Sequence, residues 1–158
     1  MFEKRKYLKV NSAVLLRKNE TIETRDLKSC LVCIISIENL RNKCIVMSHY
    51  RIIDIDEHVD KIGSIIKSIA DSEISKVTIL LFRLSSEKLK ENHSSPGVIY
   101  NVEKYETTLK LFMMNLLKII PKAEIYEIPY YAQQKSGDWI RVNTRKGTWV
   151  GSFGSGLI

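Results

Sequence analysis

The 158-residue sequence predicts an α/β fold: one three-layer-type domain whose mixed or antiparallel, sandwich-like sheet core is flanked by helices. Three observations carry that expectation. Two short β-branched runs, residues 31–37 and 77–82, are nearly continuous in apolar residues, as strands covered on both faces are. Two other segments repeat apolar residues at helical spacing, first Val59, Ile62, Ile66 and Ile69, then Val102, Tyr105, Leu109, Phe112 and Leu116. The length suits a single core, and no internal repeat or linker divides it. The domain is therefore read over residues 1–158, with its core at 11–153.

The elements follow in order. Residues 12–16 alternate and predict a first strand, and the polar residues 17–26 read as a connection. After the strand at 31–37 the chain turns, and Cys44, Ile45, Val46 and Met47 form a return strand. A two-residue turn at Asn39 and Leu40 would set Cys30 directly opposite His49, where Cβ atoms lie about 4.5–5.5 Å apart. A slip of one residue would send the two side chains to opposite faces. The first helix starts near Asp56, its acidic first turn complementing the helix dipole, with His58 read as facing solvent. Residues 85–97 are polar and end in Ser94-Ser95-Pro96-Gly97, a loop by composition. The second helix runs from about Asn101 to Pro121, followed by a strand at 124–128. Strands at 139–142 and 148–150 form a closing hairpin around residues 143–147, and the glycine-rich residues 151–156 read as loose.

Composition narrows the classes. With 44% hydrophobic and 27% charged residues, neither disorder nor a collagen-like chain is expected. No apolar run approaches the roughly 18 residues that span a bilayer, and no apolar segment follows the basic start as in a secretory signal. Three cysteines, an odd number, argue against a disulfide framework and for a reducing compartment such as the cytoplasm. The net charge of +7 favours acidic partners, a carboxylate-rich protein surface above nucleic acid. The basic residues are spread along the chain, however, as on a solvated surface.

The chemistry concentrates in Thr24-Arg25-Asp26-Leu27-Lys28-Ser29-Cys30 and in Val46-Met47-Ser48-His49-Tyr50. Cys30 lies where a polar stretch enters a strand, and His49 lies at the end of the next strand. A thiol attacks as thiolate, a nearby histidine takes its proton and stabilises the charge, and a third polar group, Thr24, fixes the imidazole. Cys33 and Cys44, flanked by isoleucine and valine, read as small buried hydrophobes. Cys30 and Cys33 are three apart in a strand and point to opposite faces, so they form neither a redox pair nor half a zinc site. Asp54, Asp56, Glu57 and Asp60 lack the spacing of a calcium loop. His93, in the polar loop, is given no role.

These residues resemble the bacterial chemoreceptor glutamine deamidases, the CheD family. Thr24, Leu27, Ser29 and Cys30 match its Thr-x-x-Leu-x-Ser-Cys pattern, and His49 falls at the place of its histidine. The order of elements from about residue 11 to 153 is similar too. The resemblance implies a cysteine-dependent conversion of a protein glutamine to glutamate, with Cys30 as nucleophile, His49 as acid–base and Thr24 as its orienter. Ser29 would help position the oxyanion, and neither metal nor organic cofactor is implied. The target would be a chemoreceptor or, as in the similar Burkholderia lethal factor and cytotoxic necrotizing factor catalytic domains, a host protein. In the latter case the protein would reach a host cytosol without a cleavable signal. Asp26 and Lys28 replace glycines of the family, the proline after the histidine is absent, and residues 85–95 replace a glycine-rich stretch. A non-catalytic module that grips an acidic protein or nucleic acid with its basic surface is the alternative. A transferase whose thioester is resolved by an amine is a third reading.

Overall fold

Every residue from Leu31 to Ile37 in strand β4 (Leu31–Asn39) is buried, because both faces of that strand are covered. A computed structural model describes residues 6–39, 42–69, 74–91, 102–132 and 135–158 and shows what covers them. β4 lies at the centre of a five-stranded sheet in the order β2 (Ser12–Leu16), β5 (Lys43–Tyr50), β4, β6 (Ile74–Leu84), β7 (Glu124–Tyr130). Only the β6–β7 pair in it is parallel. A second five-stranded sheet runs β1 (Lys6–Tyr7), β3 (Thr21–Leu27), β8 (Asp138–Asn143), β9 (Thr148–Gly151), β10 (Gly154–Leu157). The domain is thus mixed α/β and sandwich-like, as the sequence predicts.

Alternation of side chains across the central sheet sorts its residues between two layers. Val32, His49 and Phe82 are register partners on one face, which meets the second sheet: the Phe82 and Trp149 rings pack edge to face at 4.9 Å. On the other face, Cys33, Ser48 and Leu81 are partners and meet helices α1 (Ile55–Ile69) and α3 (Val102–Ile119). Leu31, Val32, Ile34 and Ile35 show no exposed surface, each a burial worth about 1.5–3 kcal/mol. The helical stripe of α3 behaves as its spacing predicts, with Tyr105, Leu109, Phe112 and Leu116 buried.

Several expectations are corrected. Residues 21–27 are strand β3 rather than connection, hidden by polar side chains that are nonetheless buried: Thr21, Glu23 and Thr24. Glu23 is tolerated inside because Arg25 and Arg141 both bond its carboxylate. The glycine-rich tail is ordered as β10 on β9, with Phe153 against Trp149 and Tyr130. Within residues 85–97 the polar composition conceals a short helix α2 (Ser86–Glu91), anchored by buried Leu89; His93 and Ser94-Ser95-Pro96-Gly97 lie outside the described residues. The expected pairing of residues whose numbers sum to 79 is not the one found; Leu40, part of the expected turn, lies outside the described residues. Glu38 pairs with Lys43, and Asn39 and Asn42 bond each other, N–H to carbonyl at 3.0 Å and N–H to Oδ1 at 2.7 Å. The register therefore sets Val32, not Cys30, opposite His49.

Candidate active site

Thr24 and His49 come from different sheets and meet between them. Thr24 Oγ1 lies 2.6 Å from His49 Nδ1 and 2.8 Å from the carbonyl of Leu8, each side chain being 1% exposed. A threonine hydroxyl has one hydrogen, and the Leu8 carbonyl can only accept it. Thr24 must therefore accept from His49, which places the imidazole hydrogen on Nδ1 and leaves the Nε2 lone pair bare. That nitrogen is buried without a hydrogen-bond partner among the described residues. The Leu8 carbonyl is held in place because Leu8 N–H donates to Glu23 O at 2.8 Å, extending the parallel β1–β3 pairing.

Cys30 is partly exposed and immediately precedes β4. Cys30 thus lies two residues before Val32, the register partner of His49, and no hydrogen bond joins Cys30 to His49. The approach to Cys30 is shaped by a bulge in β3 between Thr24 and Leu27. Asp26 adopts the left-handed φ of 64° there, a conformation that favours glycine and that Asp tolerates better than most residues. Gly137 lies against the bulge with φ 79°; a Cβ there would meet the Leu27 carbonyl oxygen at 2.7 Å. Ser29 itself is exposed, and its carbonyl accepts from the Tyr105 hydroxyl at 3.0 Å. The Cys30 carbonyl accepts from Tyr130 at 2.6 Å.

Burial dominates the electrostatics. It lowers the His49 pKa to about 4, against the pull of the Asp26 charge. It raises the Cys30 thiol, against Arg51 and the Ser29 and Cys30 backbone amides, while Asp26 adds to the rise. At neutral pH the pair therefore rests as thiol and imidazole rather than as an ion pair. Cys33, fully buried, is pushed up to about 12, as expected of an inert core thiol.

His58 does not face solvent. It is fully buried on the helix side of the sheet, its Nε2 2.6 Å from Ser48 Oγ and its ring stacked on Tyr50 at 4.5 Å. Among the described residues no group of three or more His, Cys, Asp or Glu side chains converges as a metal centre needs, and no helix is long and apolar enough to cross a membrane. A cavity of about 470 Å³ lies on the outer side of the second sheet, between Glu23, Arg25, Asp26, Gly137, Trp139 and Arg141. Asp26 is the link between that cavity and the Cys30 loop.

Sequence reasoning missed four contributors: the Leu8 carbonyl, Tyr105, Tyr130 and Arg51. A carbonyl has no sequence signal. Tyr105 was legible only as one position of an apolar stripe, although a tyrosine in a stripe carries a hydroxyl that needs a partner when buried. No protein-family model and no curated protein matches this chain.

Proposed function

We propose that this chain is a cysteine-dependent protein-glutamine deamidase of the CheD type. The observation that carries the reading is the Leu8–Thr24–His49 relay, which leaves a neutral imidazole with an unpartnered Nε2 on the strand next to the one that Cys30 precedes. In the reaction the Cys30 sulfur attacks the side-chain carboxamide carbon of a glutamine as its proton passes to His49 Nε2. The tetrahedral oxyanion accepts hydrogen bonds from the Cys30 N–H and a second donor at Ser29, interactions worth roughly 2.7–4 kcal/mol per donor in other enzymes. The imidazolium then protonates the departing ammonia, and the C–N bond breaks to leave a thioester. Water, deprotonated by His49, hydrolyses it to glutamate and restores the thiol. The neutral resting pair suits this sequence, because His49 must be a base before each attack. The product carries one more negative charge than the substrate, enough to alter a protein surface. The target is a bacterial chemoreceptor or a host protein, and the enzyme works in a reducing cytosol.

The test incubates bacterial and animal-cell lysates with the wild-type chain, Cys30→Ala or His49→Ala, and reads glutamine-to-glutamate conversion by peptide mass spectrometry. Site-specific conversions with wild type alone are expected. Identical peptide profiles for all three proteins would remove the reading.

One observation favours the alternative, a binding module for an acidic partner. At the end of β2 and β5 remote from His49, Arg17, Lys18, Lys43 and Arg145 line a groove of about 350 Å³ with no carboxylate among its lining residues. That reading predicts that Lys18→Glu with Arg145→Glu abolishes function and Cys30→Ala leaves it intact.

A further inference from the structure

Residues 28–30 lie outside both sheets, so no neighbouring strand holds their carbonyls. Two phenols do so instead. Tyr105, from α3, donates to the Ser29 carbonyl at 3.0 Å and accepts the Leu84 N–H at 3.1 Å. Tyr130, the last residue of β7, donates to the Cys30 carbonyl at 2.6 Å. The rings are 1% and 0% exposed, and burial raises both phenols above their usual range, so they remain donors at neutral pH. The Arg83 guanidinium lies 5.7 Å from the Tyr105 ring centre and is tied to Glu106 and Glu127, which steadies that ring.

The consequence follows from peptide geometry. In a trans peptide the C=O and the following N–H point in opposite directions from one rigid plane. Holding the Ser29 carbonyl therefore aims the Cys30 N–H, and holding the Cys30 carbonyl fixes the next plane. With both planes fixed, the direction of the Cys30 Cα–Cβ bond is fixed as well. We propose that Tyr105 and Tyr130 are positioning residues that act through the Cys30 backbone, aiming its thiol at an acyl carbon and its N–H at the oxygen of the same acyl group. This rests on the acyl-transfer reading of Cys30. It predicts that the tyrosines matter when an oxyanion forms and matter little when none does.

Two small probes separate those cases on the full-length protein. In p-nitrophenyl acetate, thiol attack makes a tetrahedral oxyanion: the C–S bond forms, the C–O bond breaks, the thiol proton passes to His49 and p-nitrophenolate leaves. Iodoacetamide alkylates by displacement and forms none. Tyr105→Phe and Tyr130→Phe are compared with wild type by p-nitrophenolate release, by peptide mass spectrometry at Cys30 and by urea midpoint. Acetylation of Cys30 is expected to fall about ten- to a hundredfold in each variant, an indirect share of what losing an oxyanion donor costs. Alkylation of Cys30 and its pH profile should stay within about threefold, because thiolate character is not what the tyrosines set. Equal losses in both reactions, or none in either, overturn the proposal. Should Tyr105→Phe not fold, having stranded both Leu84 N–H and the Ser29 carbonyl, Tyr130→Phe decides. If wild type releases p-nitrophenolate no faster than Cys30→Ala, the acyl-transfer reading fails and takes the proposal with it. A fast wild type matched by both tyrosine variants refutes the positioning role alone.

Discussion

His49 and His58 are two buried histidines on opposite faces of one sheet, and each places one nitrogen 2.6 Å from a hydroxyl. Burial lowers both, to about 4 and about 3. Each leaves its other nitrogen, His49 Nε2 and His58 Nδ1, buried without a hydrogen-bond partner among the described residues, and they differ in what fixes the ring and in which face of the sheet it lies on. Thr24 has committed its hydrogen to Leu8, so the His49 tautomer is set and Nε2 is left as the unprotonated nitrogen. Ser48 has the Cys33 thiol as its second neighbour, an arrangement that sets no tautomer for His58. The His58 ring is enclosed between Tyr50 and Phe112, at 4.5 and 4.6 Å, where no substrate carbonyl can reach. The second nitrogen alone therefore does not separate a packing histidine from a candidate base; the fixed tautomer and the face of the sheet do.

The sharpest way to break this comparison is to remove each ring. His49→Ala should reduce glutamine conversion by at least about a thousandfold, as loss of a base from a nucleophile pair does elsewhere. His58→Ala should leave turnover per folded molecule nearly unchanged. It should instead lower stability by about 2–4 kcal/mol through the cavity between Tyr50 and Phe112 and the lost Ser48 hydrogen bond. Urea midpoints and conversion rates measured on the same samples separate the two outcomes. Loss of chemistry in both variants would show that the faces are not independent.

Thr24→Val tests the relay with nearly constant volume. It strands the Leu8 carbonyl and the His49 Nδ1–H, at about 1–3 kcal/mol of stability for each buried group. With the tautomer no longer fixed, turnover should fall about ten- to a hundredfold, within the range of general-base contributions. Thr24→Ser should restore most of it, and nitrogen chemical shifts of His49 would report the tautomer directly. A fully active Thr24→Val would leave Thr24 with a packing role only.

Acid should unfold the molecule through both histidines. Each has its folded pKa depressed below the unfolded value near 6.5, so its stabilising contribution is complete above that value and is lost as pH falls. Between pH 6.5 and about 4, each histidine should cost roughly 1.4 kcal/mol per pH unit, continuing to about 3 for His58. The check is the pH dependence of the urea midpoint. In His58→Gln the slope should be about half as steep.

What was legible in the sequence divides along physical lines. Apolar periodicity and β-branched runs placed β4, β6, α1 and α3, because those elements bury one face or two against the rest of the chain. Strand β3 was illegible because its buried residues include Thr21, Glu23 and Thr24, and the pairing of Glu23 with neighbouring Arg25 and with Arg141, distant in sequence, makes that burial tolerable. The ordered tail was hidden for a related reason: Gly154, Ser155 and Gly156 have no strand propensity of their own and are held by β9. Thr24, Cys30 and His49 stood out through residue type and resemblance. Their arrangement did not, since the register depends on a turn that composition specifies poorly.

The smallest expected effect concerns Asp26. Its left-handed backbone suits glycine, while its carboxylate favours imidazolium at His49 and disfavours thiolate at Cys30. Asp26→Gly changes both features, and Asp26→Asn removes only the charge. Asp26→Gly should alter stability by no more than about 1 kcal/mol, because relief of the positive φ is offset by greater freedom of the unfolded chain. With the carboxylate gone, the Cys30 thiol should become slightly more acidic, raising its alkylation rate near pH 8 by roughly twofold in both variants. His49 should then resist protonation further. Faster alkylation in Asp26→Gly with no change in Asp26→Asn would assign the effect to the backbone of the bulge, and so to access rather than charge.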